Sequence, residues 1–165
     1  CHLHNVFESK SAGPTDLVTQ VKTALTKKDV DQRFVDMTTM SRLDVYRDIT
    51  RDVHDEQIFP APYLKMPLKR QQRAALAKLR SGTLRLAIET GRYRQVAPED
   101  RICQQCDMNI VENANHFIRE CPRYNDLRQR YFGDITDTDG IAKLFDSHNL
   151  ARRAANYIID SFKLR

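Results

Sequence analysis

Residues 103–121 read CQQCDMNIVENANHFIREC and contain the most informative pattern of this chain, C-x2-C-x9-H-x4-C. Two residues separate the first two cysteines, so one tight turn can direct both sulfur atoms to the same point. A histidine and a cysteine five positions apart can complete a tetrahedron from a helix and its end. Three thiolates and one imidazole suit a structural zinc site, and they leave no position for a catalytic water. The pattern therefore predicts one structural zinc ion, bound by Cys103, Cys106, His116 and Cys121.

Other interpretations of these motifs are weaker. A redox role for the C-x2-C pair would require βαβ surroundings, which the sequence does not predict. A deaminase zinc site would require H-x-E together with P-C-x-x-C, but Ile102 and not proline precedes the first cysteine. Residues 135–140 are similar to a calcium loop, yet Ile135 occupies the position of the first carboxylate. Their acidic residues are predicted to cap a helix instead.

The composition is that of a globular protein. The chain has 165 residues, 41% of them hydrophobic and 30% charged, which suffices for one core with a small appended module. No apolar run approaches the roughly 18 residues of a membrane span. The four cysteines do not form a disulfide framework, and we expect an intracellular protein, nuclear or cytoplasmic. Because the chain begins with Cys1, we expect a fragment of a longer polypeptide, with Cys1, His2 and His4 at its cut edge.

Apolar periodicity predicts a mostly α fold, a helical region with an embedded zinc knuckle made of a short β-turn and a helix. The predicted segments are a linker or tail of a preceding domain at 1–14, a helical region at 15–98, the zinc knuckle at 99–133 and a C-terminal helical segment at 134–165. The individual helices are predicted from Thr15 as N-cap to Leu25, from Val30 to Met37, from Ser41 to Ile49, after Pro67 to Ser81, from Leu84 to Gly91, from Pro122 to Gly133 and from about Leu150 onwards.

Positive charge is concentrated in residues 65–94. This window contains nine basic residues and one acidic residue, Glu89, and so carries a charge of +8, whereas the whole chain carries +5. Such a local excess attracts polyanions, although a solvated helix surface is the ordinary alternative. The predicted phosphate contacts, together with one aromatic ring on which a base can stack, are Lys69, Arg70, Arg73, Arg80, Arg85, Arg92, Tyr93 and Arg94.

Three stretches of sequence, SRLDVYRD, ALAKLR…LRLAIETGRY and EDRICQQC…ENANHFIRECPRYNDLR, resemble the C-terminal region of non-LTR (LINE-type) retrotransposon reverse transcriptases. In that family a basic helical segment with an IE-x-GR-H/Y box precedes a zinc knuckle. Here the box is IETGRY at 88–93, and the knuckle tail runs from His116 to Arg128. The resemblance covers about residues 41–132, and it departs from the family at Gln104 and Gln105, where Pro and an aromatic residue are usual.

The resemblance implies a zinc-knuckle nucleic-acid-binding tail that follows a polymerase domain in the same polypeptide. We expect it to hold template RNA or target DNA, as single strands and with little sequence specificity, and to have no catalytic activity of its own. No Y-x-D-D polymerase motif and no set of nuclease carboxylates occurs in the chain. The alternative is a zinc-stabilised protein-interaction module that docks on the parent enzyme through the apolar stripes of its N-terminal helices.

Overall fold

The computed structural model describes residues 14–40, 43–50, 62–133 and 140–165. The α-helices in these ranges are α1 (Pro14–Thr39), α2 (Asp44–Thr50), α3 (Arg70–Arg80), α4 (Ala87–Tyr93), α5 (Asn125–Phe132) and α6 (His148–Lys163). Short 3-10 turns lie at Pro62–Lys65, Pro98–Asp100, Pro122–Tyr124 and Ile141–Phe145, and a π-helical turn lies at His116–Glu120. The prediction of a mostly α fold is confirmed.

The core forms where α6 packs against α3 and α5. As the periodicity predicts, α3 buries Ala75, Leu76 and Leu79, and Leu68 lies beneath its start. From α6 the buried side chains are mainly small, so the two helices can approach closely. Gln72 on α3 is also buried, and its Nε2 donates to Asn156 Oδ1 on α6 at 2.9 Å. This hydrogen bond fixes the register of the two helices.

Four aromatic rings join α6 to the cysteine-rich segment. The ring of Phe117 lies 5.2 Å from that of Tyr124 and 5.5 Å from that of Tyr157, which in turn lies 4.9 Å from Phe132. The hydroxyl of Tyr157 donates to the Phe117 carbonyl at 2.7 Å. The buried cluster therefore unites residues from the predicted segments 15–98, 99–133 and 134–165.

The first helix differs from its prediction. Instead of two helices, with Thr15 as the cap of the first, one helix extends over Pro14–Thr39. No proline or glycine interrupts this stretch after Pro14, so nothing in the backbone ends the helix near its middle. Leu17, Val18, Val21 and Leu25 are all more than half exposed.

Other helix boundaries also differ from their predictions, since α4 begins at Ala87 rather than Leu84 and α5 at Asn125 rather than Pro122. Gly91 does not end α4, which continues to Tyr93. The missing Cβ of Gly91 instead leaves space for the Arg101 side chain against the helix. The last helix starts at His148 rather than near Leu150, because the Ser147 hydroxyl accepts a hydrogen bond from the Leu150 amide at 3.2 Å. Ser81 and Gly82 end α3 as predicted, with Gly82 at a φ of 65°.

Some predictions fall outside the described residues, namely those on the linker at 1–13, on Ser41 and on the acidic residues of 135–139. Pro98–Asp100, predicted as a loop, forms a 3-10 turn. In the described ranges, the helices are either too short or too polar to cross a membrane.

Candidate metal centre and cationic surface

A reversal of the chain at residues 103–110 positions the first two cysteines. The Cys103 amide donates to the Ile110 carbonyl at 2.8 Å, and the neighbouring residues Ile102 and Val111 form an isolated antiparallel bridge. Asn109 has a φ of 53°, a left-handed conformation that asparagine adopts more readily than most residues. The Gln105 amide also lies 3.4 Å from Cys103 Sγ, as a donor to that sulfur. The backbone therefore directs the first cysteine inwards.

A π-helical turn positions the other two candidate ligands. In an α-helix, residues five positions apart differ by about 140° around the axis and face different directions. Here the Cys121 amide donates to the His116 carbonyl at 2.8 Å, which is the i to i+5 bond of a π-turn. The wider turn brings the imidazole and the sulfur to the same side. The H-x4-C spacing is thus matched by an unusual local backbone.

These two structures bring the four predicted ligands together. One sulfur or nitrogen atom from each of Cys103, Cys106, His116 and Cys121 lies within 4.8 Å of all the others, so the group can hold one metal ion. The sulfurs of Cys103 and Cys121 are 4.0 Å apart, and Cys106 Sγ lies 3.4 Å from His116 Nε2. His116 is 1% exposed, and both Cys103 and Cys121 are buried.

The surroundings of His116 define its orientation. Its Nε2 faces Cys106, while its Nδ1 lies 3.4 Å from Glu120 Oε2. Its backbone amide donates to Asn113 Oδ1 at 2.8 Å. A carboxylate beside the outer nitrogen favours the tautomer that leaves Nε2 free for a metal, as is common around metal-ligating histidines.

Burial keeps the thiols of Cys103 and Cys121 protonated when no metal is bound. Desolvation raises the pKa of Cys103 to about 12 and also raises the pKa of Cys121. A metal ion therefore has to displace protons from these thiols as it binds. Since proton competition increases as the pH falls, the apparent metal affinity falls with it.

A buried carboxylate that sequence reasoning missed lies beside the ligands. Glu112 is 1% exposed, and its Oε1 lies 3.8 Å from Cys103 Sγ. Its oxygens accept hydrogen bonds from the Ala87 amide at 2.7 Å and from Arg165 Nη2 at 2.7 and 2.9 Å. Glu112 thus links the start of α4 and the Arg165 guanidinium to the metal centre. No local signal predicts this, because its partners are distant in the sequence.

Two arginines support the segment through backbone carbonyls. Arg128 on α5 donates to the carbonyls of Ile118 and Cys121 at 2.9 and 2.8 Å, and so satisfies the end of the π-turn. Arg101 donates to the carbonyls of Ile88 and Val96 at 2.8 to 3.0 Å and holds α4 against the reversal. The sequence motifs give neither arginine a role of its own, whereas these hydrogen bonds give both a definite structural role.

Most of the basic side chains in 65–94 are exposed. Lys69, Arg70 and Arg73 lie at the start and on the outer face of α3, opposite the buried Leu76. Arg85 and Arg94 are also exposed. Among the described residues, the only ion pair made by this window is the one between Arg92 and Glu89, whose Nη1 and Oε2 are 3.2 Å apart. The structure therefore presents a largely uncompensated cationic surface.

Arg80 and Tyr93 have internal contacts instead. The Arg80 guanidinium lies over the Tyr46 ring at 4.9 Å and near the Tyr63 ring at 5.9 Å, and its side chain is half-buried. These are cation–π contacts, which hold α3 to the segments before it. Tyr93 is 82% exposed, although its hydroxyl donates to Glu89 Oε1 at 3.2 Å. Its ring remains open to solvent, whereas Arg80 is apart from the exposed residues of α3.

No protein-family model, curated protein or solved structure matches this chain.

Proposed function

We propose that this chain is a non-catalytic nucleic-acid-binding module stabilised by one zinc ion, the C-terminal region of a retroelement reverse transcriptase. The observation that carries the proposal is the convergence of Cys103, Cys106, His116 and Cys121 in a chain that also exposes a cationic surface. The assignment to a reverse transcriptase rests on the sequence resemblance described above. The upstream polymerase domain would lie in the same polypeptide.

The donor set supports zinc as the metal. Zinc prefers four tetrahedral ligands with Zn–S near 2.3 Å and Zn–N near 2.0–2.1 Å, which corresponds to S–S and S–N separations of about 3.8 and 3.5 Å. The observed 4.0 Å between Cys103 and Cys121 and 3.4 Å between Cys106 and His116 Nε2 are close to these values. Three sulfurs and one imidazole favour zinc over calcium or magnesium, which prefer oxygen ligands. When bound, zinc would join the chain reversal to the π-turn.

Metal analysis tests this part of the proposal. Protein purified without added metal is expected to contain about one equivalent of zinc, and Cys106→Ser or His116→Ala is expected to remove it. Gln104→Ser, which changes an exposed neighbour with no metal-binding role, serves as the matched control. Less than half an equivalent in the wild-type protein, or an equal zinc content in all variants, would contradict a zinc site at these residues.

The exposed arginines and lysines support phosphate binding. Lys69, Arg70 and Arg73 lie at the start and on the outer face of α3 without an ion pair among the described residues, and Arg85 and Arg94 are exposed further along the chain. Guanidinium groups bind phosphate oxygens well because their donors form a planar fork. Contacts of this kind read charge rather than base sequence, so we expect little sequence preference. The exposed Tyr93 ring adds a surface on which one base can stack.

A salt titration with matched variants tests nucleic-acid binding. Replacing Lys69, Arg70 and Arg73 with Gln is expected to weaken binding of fluorescent single-stranded RNA and DNA and to flatten the dependence of log affinity on log salt. Each phosphate neutralised on a single strand contributes a slope of roughly 0.7. The control replaces Lys22, Lys27 and Lys28 of α1, three exposed lysines, and removes the same formal charge. Equal affinities and slopes for both variants would contradict a role for the α3 surface.

A protein-interaction module that docks on the parent enzyme is the second candidate. It is favoured by one observation, the exposed apolar residues Leu17, Val18, Val21 and Leu25 on α1. Exposed apolar clusters of this kind commonly mark interaction sites. The two functions are compatible, since the cationic surface and α1 are different parts of the molecule. Salt-independent binding to the polymerase domain, without nucleic-acid binding, would favour docking as the main role.

A further inference from the structure

The helix α4 has little apolar contact of its own with the core. The buried residues of this seven-residue helix are Glu89 and Gly91, and Ile88 is only partly buried against the core cluster. Among the described elements, α4 packs chiefly against the 3-10 turn at Pro98–Asp100, whereas α3 and α5 pack against α6. A helix of this length is not stable by itself in water. The position of α4 therefore depends on contacts outside the main core.

Two residues that flank the chain reversal provide these contacts. Glu112 accepts the Ala87 amide at 2.7 Å through its carboxylate and the Ile88 amide at 3.1 Å through its carbonyl. Arg101 donates to the Ile88 carbonyl at 2.8 Å, and its own carbonyl accepts the Glu112 amide at 2.9 Å. The sulfur of Cys103, a candidate metal ligand, lies 3.8 Å from Glu112 Oε1. The helix is thus attached to the segment that contains the metal ligands.

The last residues of α4 carry an aromatic ring next to basic side chains. Glu89, which is 6% exposed, accepts hydrogen bonds from Arg92 Nη1 and from the Tyr93 hydroxyl, both at 3.2 Å. One buried carboxylate therefore fixes the orientation of both side chains. The Tyr93 residue is 82% exposed, and Arg94, which follows it, is also exposed. An exposed ring beside a guanidinium can stack on a base and pair with its phosphate.

We propose that this end of α4, with Tyr93 and Arg94, is a nucleotide contact that forms only while the metal centre is loaded. The inference rests on the proposed function and deepens it, because it divides the cationic surface into two parts. The part on α3 is held by the core and does not require the metal. The part on α4 requires it, so metal loading and strand binding strengthen each other.

The coupling acts through the structure of α4 and not through the charge of the metal centre. Three thiolates outweigh the two positive charges of a zinc ion, so a loaded centre is negative and repels phosphate. Its four positions are filled by protein ligands, which leaves none for a phosphate oxygen. An increase in strand affinity on metal loading therefore has to come from the ordering of α4.

A comparison of variants with and without metal tests the proposal. The full chain is kept reduced and is titrated with a fluorescent single strand of about 12 nucleotides, either zinc-loaded or after a chelator has removed the zinc. Tyr93→Ala is expected to weaken binding roughly tenfold in the loaded protein, which corresponds to one stacked base, and to have no effect in the metal-free protein. Tyr93→Phe keeps the ring and is expected to retain most of the affinity.

Arg73→Gln is the matched control, because it removes an exposed cation of α3. It is expected to weaken the loaded and the metal-free protein by the same factor. An equal effect of Tyr93→Ala in the two forms, with salt-dependent binding of the strand, would overturn this inference and leave the proposed function intact. The same holds if Tyr93→Ala has no effect in either form. Absence of strand binding by every form would overturn both proposals.

Hydrogen exchange measures the structural link without any nucleic acid. In Cys106→Ser, which is expected to lose the metal without a chelator, the amides of Ala87 and Ile88 should lose most of their protection. The amides of Leu76 and Leu79 in the buried part of α3 should keep theirs. Unchanged protection of α4 would overturn the inference. Loss of protection in α3 as well would also overturn it, because it would show general unfolding and not a local dependence of α4.

Discussion

Glu112 is a single residue on which distant parts of the chain depend. Its carboxylate is almost fully buried between the Ala87 amide, Cys103 and Arg165. A buried carboxylate is tolerated only where hydrogen bonds and an opposite charge compensate for its lost hydration. The guanidinium of Arg165 provides that charge, and its side chain is 19% exposed. The same guanidinium lies over the Phe162 ring, with its central carbon 5.2 Å from the ring centroid.

Arg165→Gln is therefore expected to lower the free energy of unfolding by about 2–3 kcal/mol, because the buried carboxylate loses its counter-charge. Urea denaturation of the zinc-loaded protein at neutral pH provides the measurement. The control, Lys163→Gln, breaks an exposed pair with Asp160 and is expected to cost less than about 0.5 kcal/mol. Equal losses for the two variants would show that Arg165 acts as an ordinary surface residue.

At the level of secondary structure, Gly91 leaves room within α4 for the side chain of Arg101, which belongs to another segment. A Cβ at this position would lie 2.6 Å from Arg101 Cγ and 2.8 Å from its Cδ. The Arg101 side chain cannot easily move, because its guanidinium donates hydrogen bonds to the backbone carbonyls of Ile88 and Val96. Gly91 is therefore required by a tertiary contact and not by a left-handed turn.

Gly91→Ala is expected to destabilise the protein by about 1–2 kcal/mol. The clash with Arg101 costs more than the roughly 0.5–1 kcal/mol that alanine gains over glycine in a helix. Gly140→Ala is the matched control, because its Cβ would meet nothing within 4 Å. The φ of −66° at Gly140 suits alanine, so the Gly140→Ala protein should be as stable as the wild type or slightly more stable. Urea denaturation of both variants gives the comparison. An unchanged free energy of unfolding in Gly91→Ala would contradict the clash.

The chain reversal is expected to depend on the metal more than the helices do. Residues 104–108 are exposed or half-buried, so little apolar contact holds them. The Cys103 amide donates to the Ile110 carbonyl, and the Glu112 amide donates to the Arg101 carbonyl. When a chelator removes the metal, both amides should lose most of their protection from hydrogen exchange. The buried parts of α3 and α6 should keep theirs. Equal protection of the two amides before and after chelation would exclude a metal-dependent fold.

In the molecule as a whole, the side chains of α1 that the structure describes contribute little to the core. Replacing Leu17, Val18, Val21 and Leu25 with Gln is expected to change the urea midpoint of the isolated chain very little, since these side chains are already mostly exposed. Leu76→Ala provides the contrast, because Leu76 is fully buried and its truncation should cost about 2–5 kcal/mol. A large loss in the α1 variant would mean that this helix packs against the body of the protein in solution.

Several local features of this chain follow from its sequence alone. The spacing C-x2-C-x9-H-x4-C is enough to identify four residues that the fold brings within 4.8 Å, because turns and helices of limited length connect them. The helices α3, α5 and α6 follow from apolar periodicity and from the positions of Pro67, Gly82, Pro122 and Gly133. Both kinds of inference need only neighbouring residues, whose geometry the backbone restricts.

Tertiary structure alone decided which polar residues are buried and which charges are free. Glu112 and Arg165 are 53 positions apart, and Gln72 and Asn156 are 84 positions apart, so no periodic pattern relates them. Arg80 belongs to the same basic run as Arg70 and Arg73, yet packing places it over two tyrosine rings. The physical reason is that burial and pairing depend on how the helices pack. That packing is set by the sum of many weak contacts between distant residues.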